Sequence, residues 1–106
     1  MAYNIHSTYE ADDDIDWLRP VERSVIKKAL PKYLRDTPAL RSTYRKEMEP
    51  NPLDAPWELR LGTLRVFYRV DVDQQTVMVL RAGRKVGNLV VIRGTAYDLR
   101  EEPEEP

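Results

Sequence analysis

Residues 57–72 carry the clearest pattern in the chain and read Trp-Glu-Leu-Arg-Leu-Gly-Thr-Leu-Arg-Val-Phe-Tyr-Arg-Val-Asp-Val. Apolar side chains alternate with charged ones on both sides of Gly62, which is typical of two strands joined by a tight turn. Gly62 suits the turn because a residue without a Cβ adopts a positive φ at no steric cost. The second strand then has an apolar face, made by Val66, Tyr68, Val70 and Val72. Its other face is charged and consists of Arg65, Phe67, Arg69 and Asp71. The hairpin therefore has one face that needs an apolar cover and one that presents arginines around an aromatic ring.

The residues before this hairpin predict a strand followed by two helices. Residues 3–9 alternate as a first strand, and residues 10–18 form a short helix whose acids lie in its first turns, where the helix dipole favours negative charge. Pro20 suits the first position of a second helix, which should stop near Thr37-Pro38. Pro31 is expected to kink or divide this helix, because proline removes one backbone hydrogen bond. The two helices form a hairpin with one apolar side.

The residues around and after the hairpin predict a connection and further strands. Residues 39–56 contain three prolines and are expected to form a long irregular connection. Residues 76–82 predict a strand that is covered on both faces, residues 89–92 another strand, and residues 97–99 a short edge. The predicted fold is α+β: an N-terminal strand, a helical hairpin, then an antiparallel strand meander that forms one twisted sheet packed on the helices. Residues 1–100 form a single domain, and residues 101–106 form a disordered acidic tail.

The composition narrows the class of protein. The chain has 106 residues, 42% of them hydrophobic and 33% charged, and it contains no cysteine. A disulfide framework and a thiolate site are therefore excluded. No apolar run approaches the roughly 20 residues of a membrane span, and the acidic start lacks the basic and apolar parts of a signal peptide. We expect a cytoplasmic protein without a membrane partner.

The charges are distributed unevenly along the chain. All 17 Lys and Arg residues lie between Arg19 and Arg100, whereas nine of the 18 acidic residues lie in segments 10–16 and 101–105. The body of the chain thus has an excess of eight positive charges, which suits a polyanion, since phosphate contacts dominate nucleic-acid affinity. A solvated surface with segregated charges is an equally good interpretation of the charge alone. If the acidic ends lie near the body, they would weaken RNA binding.

Two features invite a metal or catalytic interpretation without supporting it. Consecutive acids at 12–14 point in different directions on a helix, so we interpret them as an exposed acidic face, not as a metal site. His6 is the only histidine and has no Cys, Asp or Glu at ligand spacing, so a structural role is the better interpretation. We expect no metal and no cofactor.

The order of the elements and four short motifs resemble the RelE/ParE family of toxin–antitoxin toxins. The motifs are Leu59-Arg60, the turn at Gly62, Arg65-Val66-Phe67-Tyr68, and an apolar strand that leads into Gly83-Arg84-Lys85. The resemblance covers roughly residues 3–99. It implies a small toxin that is neutralised by an antitoxin segment wrapped around it. RelE-like members cleave messenger RNA in the ribosomal A site, whereas ParE-like members act on DNA gyrase.

The resemblance also implies roles for individual residues. Arg65 matches the catalytic arginine of the family's sheet, and Arg84 with Lys85 matches the basic pair after the core strand. Tyr97 is the nearest candidate for the family's C-terminal acid or base. RNA contacts are expected from the charged strand face and from the basic connection, namely from Arg45, Lys46, Arg60, Phe67, Arg69 and Arg81. Arginine suits phosphate clamping because it does not readily deprotonate.

The main functional prediction is a ribosome-dependent messenger RNA endoribonuclease. RelE-like enzymes carry lysines before the Leu-Arg motif, where this chain has Pro56-Trp57-Glu58. That departure keeps two alternatives open: a ParE-like gyrase inhibitor, and a catalytically weak or inactive module that binds an antitoxin. Arg65 and Arg69 have a structural alternative as well, since they could simply pair with Glu58 and Asp71 across the hairpin.

Overall fold

The computed structural model describes residues 2–100 and places two helices against a seven-stranded sheet. The elements, in chain order, are β1 (Asn4–Ser7), α1 (Tyr9–Trp17), α2 (Pro20–Leu34), β2 (Arg45–Glu47), β3 (Trp57–Leu61), β4 (Leu64–Asp71), β5 (Thr76–Val86), β6 (Leu89–Ile92) and β7 (Thr95–Tyr97). The predicted α+β class, with a strand first, then two helices, then a meander, is confirmed. The acidic tail predicted at 101–106 lies outside the described residues.

Strand β5 is the centre of the sheet. The strands follow the order β2-β3-β4-β5-β6-β7 with antiparallel neighbours, and β1 lies beside β5 as the parallel exception. Pairing with β1 uses Thr76 to Val79, whereas pairing with β6 uses Arg84 to Val86. The edge of β5 between these two segments is closed by α1. Thr8 donates a hydrogen bond to the Leu80 carbonyl, and Asp14 accepts one from the Ala82 amide.

Local sequence explains where both helices begin. Thr8 caps α1, since its hydroxyl accepts a hydrogen bond from the Ala11 amide. Pro20 opens α2, and the Glu22 carboxylate accepts a hydrogen bond from the Arg19 amide. Helix α2 continues through Pro31 to Leu34, so the helix is not divided there. Proline near the end of a helix interrupts few hydrogen bonds, and the packing of α2 on the sheet compensates for that loss.

The main core lies between the helices and one face of the sheet. Its members include Ile26, Leu34, Leu59, Val66, Tyr68, Val77 and Val79, all fully buried. Tyr68 stacks on Trp57 with the ring centroids 6.0 Å apart, and its hydroxyl donates a 2.7 Å hydrogen bond to the Pro38 carbonyl. The apolar hairpin face predicted from the sequence is thus the face that the helices cover, with Tyr68 inside the core.

A second, smaller core lies on the opposite face of the sheet. Ala55, Phe67, Val90 and Ile92 form its centre. Phe67, a predicted RNA contact, has no exposed surface, so its ring fills this core and is not placed to stack on an RNA base. Val90 and Ile92 of β6 pack with the ring, and the end of β6 lies so close to β5 that a Cβ at Gly83 would collide with the Val91 carbonyl and the Ile92 side chain.

The connection at 39–56 is more ordered than the sequence indicates. It contains β2, and its proline-rich half is organised by the buried side chain of Asn51. The Asn51 amide donates to the carbonyls of Glu49 and Ala55, and its oxygen accepts from the Leu53 amide. One asparagine thereby satisfies several backbone groups of the loop, as asparagine does in Asx turns.

The acidic segment of α1 is only partly the exposed face expected from the sequence. Asp14 is buried and accepts hydrogen bonds from Arg81 at 2.7 Å and from Arg93 at 2.8 Å. Asp12 and Asp13 remain exposed. Neither helix of the described part of the chain is long and apolar enough to cross a membrane.

Candidate nucleic-acid interface

A groove of about 430 Å³ opens on the face of the sheet opposite the helices. Strands β2, β3 and β4 form its floor, and the tip of the β5–β6 hairpin and residues 99–100 form its rim. We call it the basic groove, because its charged lining consists of Lys46, Glu49, Glu58, Arg60, Arg65, Lys85 and Arg100. Five cations face two carboxylates, so the groove favours an anion.

The register of the strands brings these side chains together. Lys46 lies opposite Glu58 on the neighbouring strand, and Arg60 lies directly opposite Arg65. Directly opposite residues in an antiparallel pair point to the same face. Lys85 joins them on β5, two positions beyond Gly83, which pairs with Arg65. At Gly83 the end of β6 fills the space that a side chain would take, since a Cβ there would collide with the Val91 carbonyl and the Ile92 side chain.

Arg65 is the most buried cation of the basic groove, with 8% of its surface exposed. Its Nη1 donates hydrogen bonds to the carbonyls of Gly62 at 2.5 Å and Leu64 at 2.9 Å. The β3–β4 turn therefore fixes the guanidinium in one orientation. Burial lowers the pKa of Arg65 below its usual value, Glu58 raises it, and Arg60 lowers it further. A preorganised, partly desolvated guanidinium of this kind binds phosphate more strongly than a mobile surface arginine does.

Glu58 lies beside Arg65, as the pairing considered from the sequence allows, but the sequence did not indicate that it also binds Arg60 and is buried. It is 6% exposed, and its Oε1 accepts a 2.7 Å hydrogen bond from Arg60 Nε. Its Oε2 lies 3.9 Å from Arg65 Nε. Strand alternation already places Glu58 on the same face as Arg60, but the pattern alone does not show that it is buried between two arginines.

Arg84 does not lie in the basic groove, although it precedes Lys85. It pairs with Leu64 of β4, whose side chain belongs to the main core, and it forms two hydrogen bonds to Glu22 of α2. The Arg84 guanidinium lowers the pKa of Glu22 to about 2, against the opposing effect of burial. Arg84 thus fastens α2 to the sheet and is not positioned to contact a ligand in the groove together with Arg65.

Tyr97 is also separate from Arg65. It lies in a second pocket of about 320 Å³, lined in part by Arg69 and Arg81. Arg81 lies 5.9 Å from the centre of the Tyr97 ring and pairs with Asp14 and, at 3.7 Å, with Glu10. The structure therefore does not bring the Tyr97 hydroxyl to the groove that holds Arg65 and Lys85.

The predicted RNA contacts divide between several places. Lys46 and Arg60 line the basic groove, and Arg69 and Arg81 line the second pocket. Arg45 donates hydrogen bonds to the carbonyls of Leu40 and Tyr33, so it holds the connection against α2. Residues 2–100 contain no cluster of three or more His, Cys, Asp or Glu side chains suited to a metal ion.

Solved structures of toxin–antitoxin complexes contain chains that are similar to this one. A chain of the complex RelBE2 from Mycobacterium tuberculosis superposes with a TM-score of 0.64 and 27% identity, over 80% of this chain and 100% of that chain. A chain of the archaeal RelE–RelB complex from Pyrococcus horikoshii gives a TM-score of 0.61 and 20% identity, over 79% of this chain and 96% of that chain. No protein-family model and no curated protein matches the sequence.

Proposed function

We propose that this chain, which has the fold of the RelE toxins, is the toxin of a type II toxin–antitoxin pair and cleaves messenger RNA on the ribosome. The observation that carries the proposal is the basic groove, where Arg65 is held by the β3–β4 turn with Lys85, Arg60 and Lys46 around it. The similar chains belong to toxin–antitoxin complexes, which supports an antitoxin as the partner of this chain. The proposal includes messenger RNA as the substrate, the ribosome as the place of cleavage and the cytoplasm as the location of the protein.

The proposed reaction needs cations where charge develops on a phosphate. The ribose 2′-hydroxyl gives up its proton as its oxygen attacks the phosphorus, and the bond to the 5′-oxygen breaks. The 5′-oxygen takes up a proton, so that a 2′,3′-cyclic phosphate and a free 5′-hydroxyl result. Arg65 and Lys85 bind the non-bridging oxygens, whose negative charge grows in the transition state. Arg60 and Lys46 bind neighbouring phosphates and fix the register of the strand. Arginine and lysine supply this stabilisation directly, so the scheme requires no metal or cofactor.

The test is to induce the chain alone in a bacterial host, follow growth, and map new 5′ ends of messenger RNA. The wild type is compared with Arg65→Ala and with a matched control, Arg35→Ala. Arg35 is an exposed arginine at the C-terminal end of α2, outside the basic groove. Growth arrest with new ends at codon-phased positions, lost in Arg65→Ala and kept in the control, supports the proposal.

One observation favours a second candidate function, in which the chain binds without cutting RNA. The described lining of the basic groove contains neither Tyr nor His, the usual donors of a catalytic proton in such a site. A gyrase inhibitor of the same fold would arrest growth with intact messenger RNA and a DNA-damage response. A module that only binds its antitoxin would cause no arrest while folding normally.

A further inference from the structure

The basic groove already contains an anion of its own chain. Glu58 is almost fully buried there, with one carboxylate oxygen hydrogen-bonded to Arg60 and the other 3.9 Å from Arg65. A carboxylate offers guanidinium groups two oxygens, much as a phosphate does. Glu58 therefore occupies a position beside Arg60 and Arg65 that a phosphate bound to either arginine would also need.

The strand register explains why a carboxylate is needed at this point. Arg60 and Arg65 are directly opposite each other on β3 and β4, and like charges in that arrangement destabilise a sheet. Glu58 lies next to both and partly neutralises them. Its remaining charged neighbours in the groove are Lys46 on the adjacent strand, Lys85, Arg100 and Glu49. Of the two carboxylates in the groove, only Glu58 is buried.

We propose that Glu58 is a built-in competitor of RNA phosphate, which keeps the affinity of the groove for free single-stranded RNA low. A phosphate that binds either Arg65 or Arg60 must displace the carboxylate or tolerate its repulsion. Binding then requires further contacts, and a ribosome that holds the messenger in place can supply them. The inference rests on the proposed function only for the identity of the ligand, since the competition itself is a property of the groove.

The test measures the binding of a short single-stranded RNA whose riboses all carry a 2′-O-methyl group, so that no cleavage can occur. The variant is Glu58→Gln, which keeps an oxygen for Arg60 Nε and removes the charge. We expect Glu58→Gln to bind the RNA about fivefold more tightly at low salt, because one like charge beside the phosphate is gone. The slope of log affinity against log salt should steepen by about 0.7, since one more cation is free to release a counterion.

Glu47→Gln is the matched control. Glu47 is one residue from Lys46 on β2, pairs with Trp57 on the face of the main core, and is exposed beside Arg41. It undergoes the same change of charge near the same end of the sheet but outside the groove. We expect its RNA affinity to stay within about twofold of the wild type, because its side chain lies on the opposite face of the sheet from Arg60 and Arg65.

A second measurement uses the wild-type chain and inorganic phosphate. Phosphate that replaces Glu58 should shift the Nε–Hε NMR signals of Arg60 and Arg65 together, with one apparent Kd. A shift confined to lysine signals, with Arg60 unmoved, would contradict the proposal, and this readout does not depend on the folding of any variant.

The outcomes separate this proposal from the proposed function. One outcome is that Glu58→Gln binds RNA more tightly although the wild-type chain causes no cleavage in cells. This result supports competition between Glu58 and phosphate and contradicts the proposed nuclease activity. If Glu58→Gln melts at the same temperature as the wild type but binds RNA equally or more weakly, the proposal that Glu58 competes with phosphate is wrong. If cleavage is lost while affinity is unchanged, Glu58 belongs to the chemistry and the competitor is wrong.

Discussion

Arg84 and Lys85 are adjacent in sequence but belong to different regions of the molecule. Arg84 binds Glu22 of α2, and the pair ties the helix to the sheet. Lys85 is exposed on the other face, in the basic groove with Arg65. Arg81 and Arg93 resemble Arg84 in this respect, because both bind the buried Asp14 of α1.

The difference shows that the number of cations does not identify a binding surface. Arg81, Arg84 and Arg93 each bind a carboxylate of α1 or α2 with 8% or less of its side chain exposed, so their charge is largely neutralised within the chain. The described lining of the basic groove has five cations and two carboxylates, and its Arg100 also pairs with Asp98, so the groove keeps an excess of positive charge for a ligand. Substitutions in the two regions should therefore affect different measurements: activity for the groove, and stability for the helix-bound arginines.

The largest expected effect is that of Arg65→Ala on cleavage. Removing a preorganised donor from a charged transition state commonly lowers a rate about 100-fold or more, and we expect that loss in cleavage of messenger RNA on programmed ribosomes. Arg84→Ala should leave the rate within about threefold, because its guanidinium binds Glu22 and not the substrate. Equal losses in the two variants, both still folded, would abolish the distinction between the regions.

The next effect concerns Asp14 and should appear in stability. Asp14→Ala leaves Arg81 and Arg93 without their shared carboxylate and the Ala82 amide without its acceptor. We expect the free energy of unfolding to fall by about 3 kcal/mol, the range found when one partner of a buried ion pair is removed. Denaturant unfolding measures this change, and Asp13→Ala, an exposed neighbour on the same helix, should change little. A similar small change in both variants would show that Asp14 does not hold α1 to β5.

A smaller effect on stability should depend on pH through Glu22. Its pKa is about 2 in the folded chain and 4.5 as the ordinary value, so the unfolded chain binds a proton first as the pH falls. The stabilisation by the Glu22–Arg84 pair is then complete above pH 4.5 and is lost as the pH falls towards 2. We expect this contribution to be about 1 to 2 kcal/mol, since Arg84 is partly exposed to solvent. Melting curves of wild type and Glu22→Gln should differ at pH 6 and converge in acid, and a constant difference across this window would contradict the assignment.

Much of the fold follows from local pattern. Strict alternation and Gly62 predict β3 and β4, and Gly62 has the positive φ that the turn requires. The parallel pairing of β1 with β5 and the second core around Phe67 do not follow, because they depend on segments that meet only in the folded chain. Gly83 is part of the reason, since its missing side chain lets Val91 and Ile92 of β6 lie close to β5, and sequence alone indicates only that a close approach is possible there.

The alternation of side chains along a strand predicts which residues of the candidate site share a face. It does not predict contacts between residues that are distant in sequence. This alternation puts Glu58, Arg60 and Arg65 on one face of the sheet. It also places Arg84 and Lys85 on opposite faces, although the family motif treats them as one basic pair. The partners of Asp14 lie 67 and 79 positions along the chain, so no local signal identifies them. Burial of Glu58 between arginines likewise depends on the paired register of three strands.

The smallest expected effect is that of Tyr97→Phe on cleavage, and it tests whether the catalytic site is confined to the basic groove. The Tyr97 hydroxyl lies in the pocket with Arg69 and Arg81, not with Arg65 and Lys85. The ring packs on the second core, and phenylalanine keeps that packing. We expect cleavage on programmed ribosomes to change less than about threefold, because a group that is out of reach of the reacting atoms cannot transfer their proton. A loss as large as that of Arg65→Ala, without a change in melting, would mean that the ribosome draws residues 95–100 over the groove, so that the two pockets act as one site.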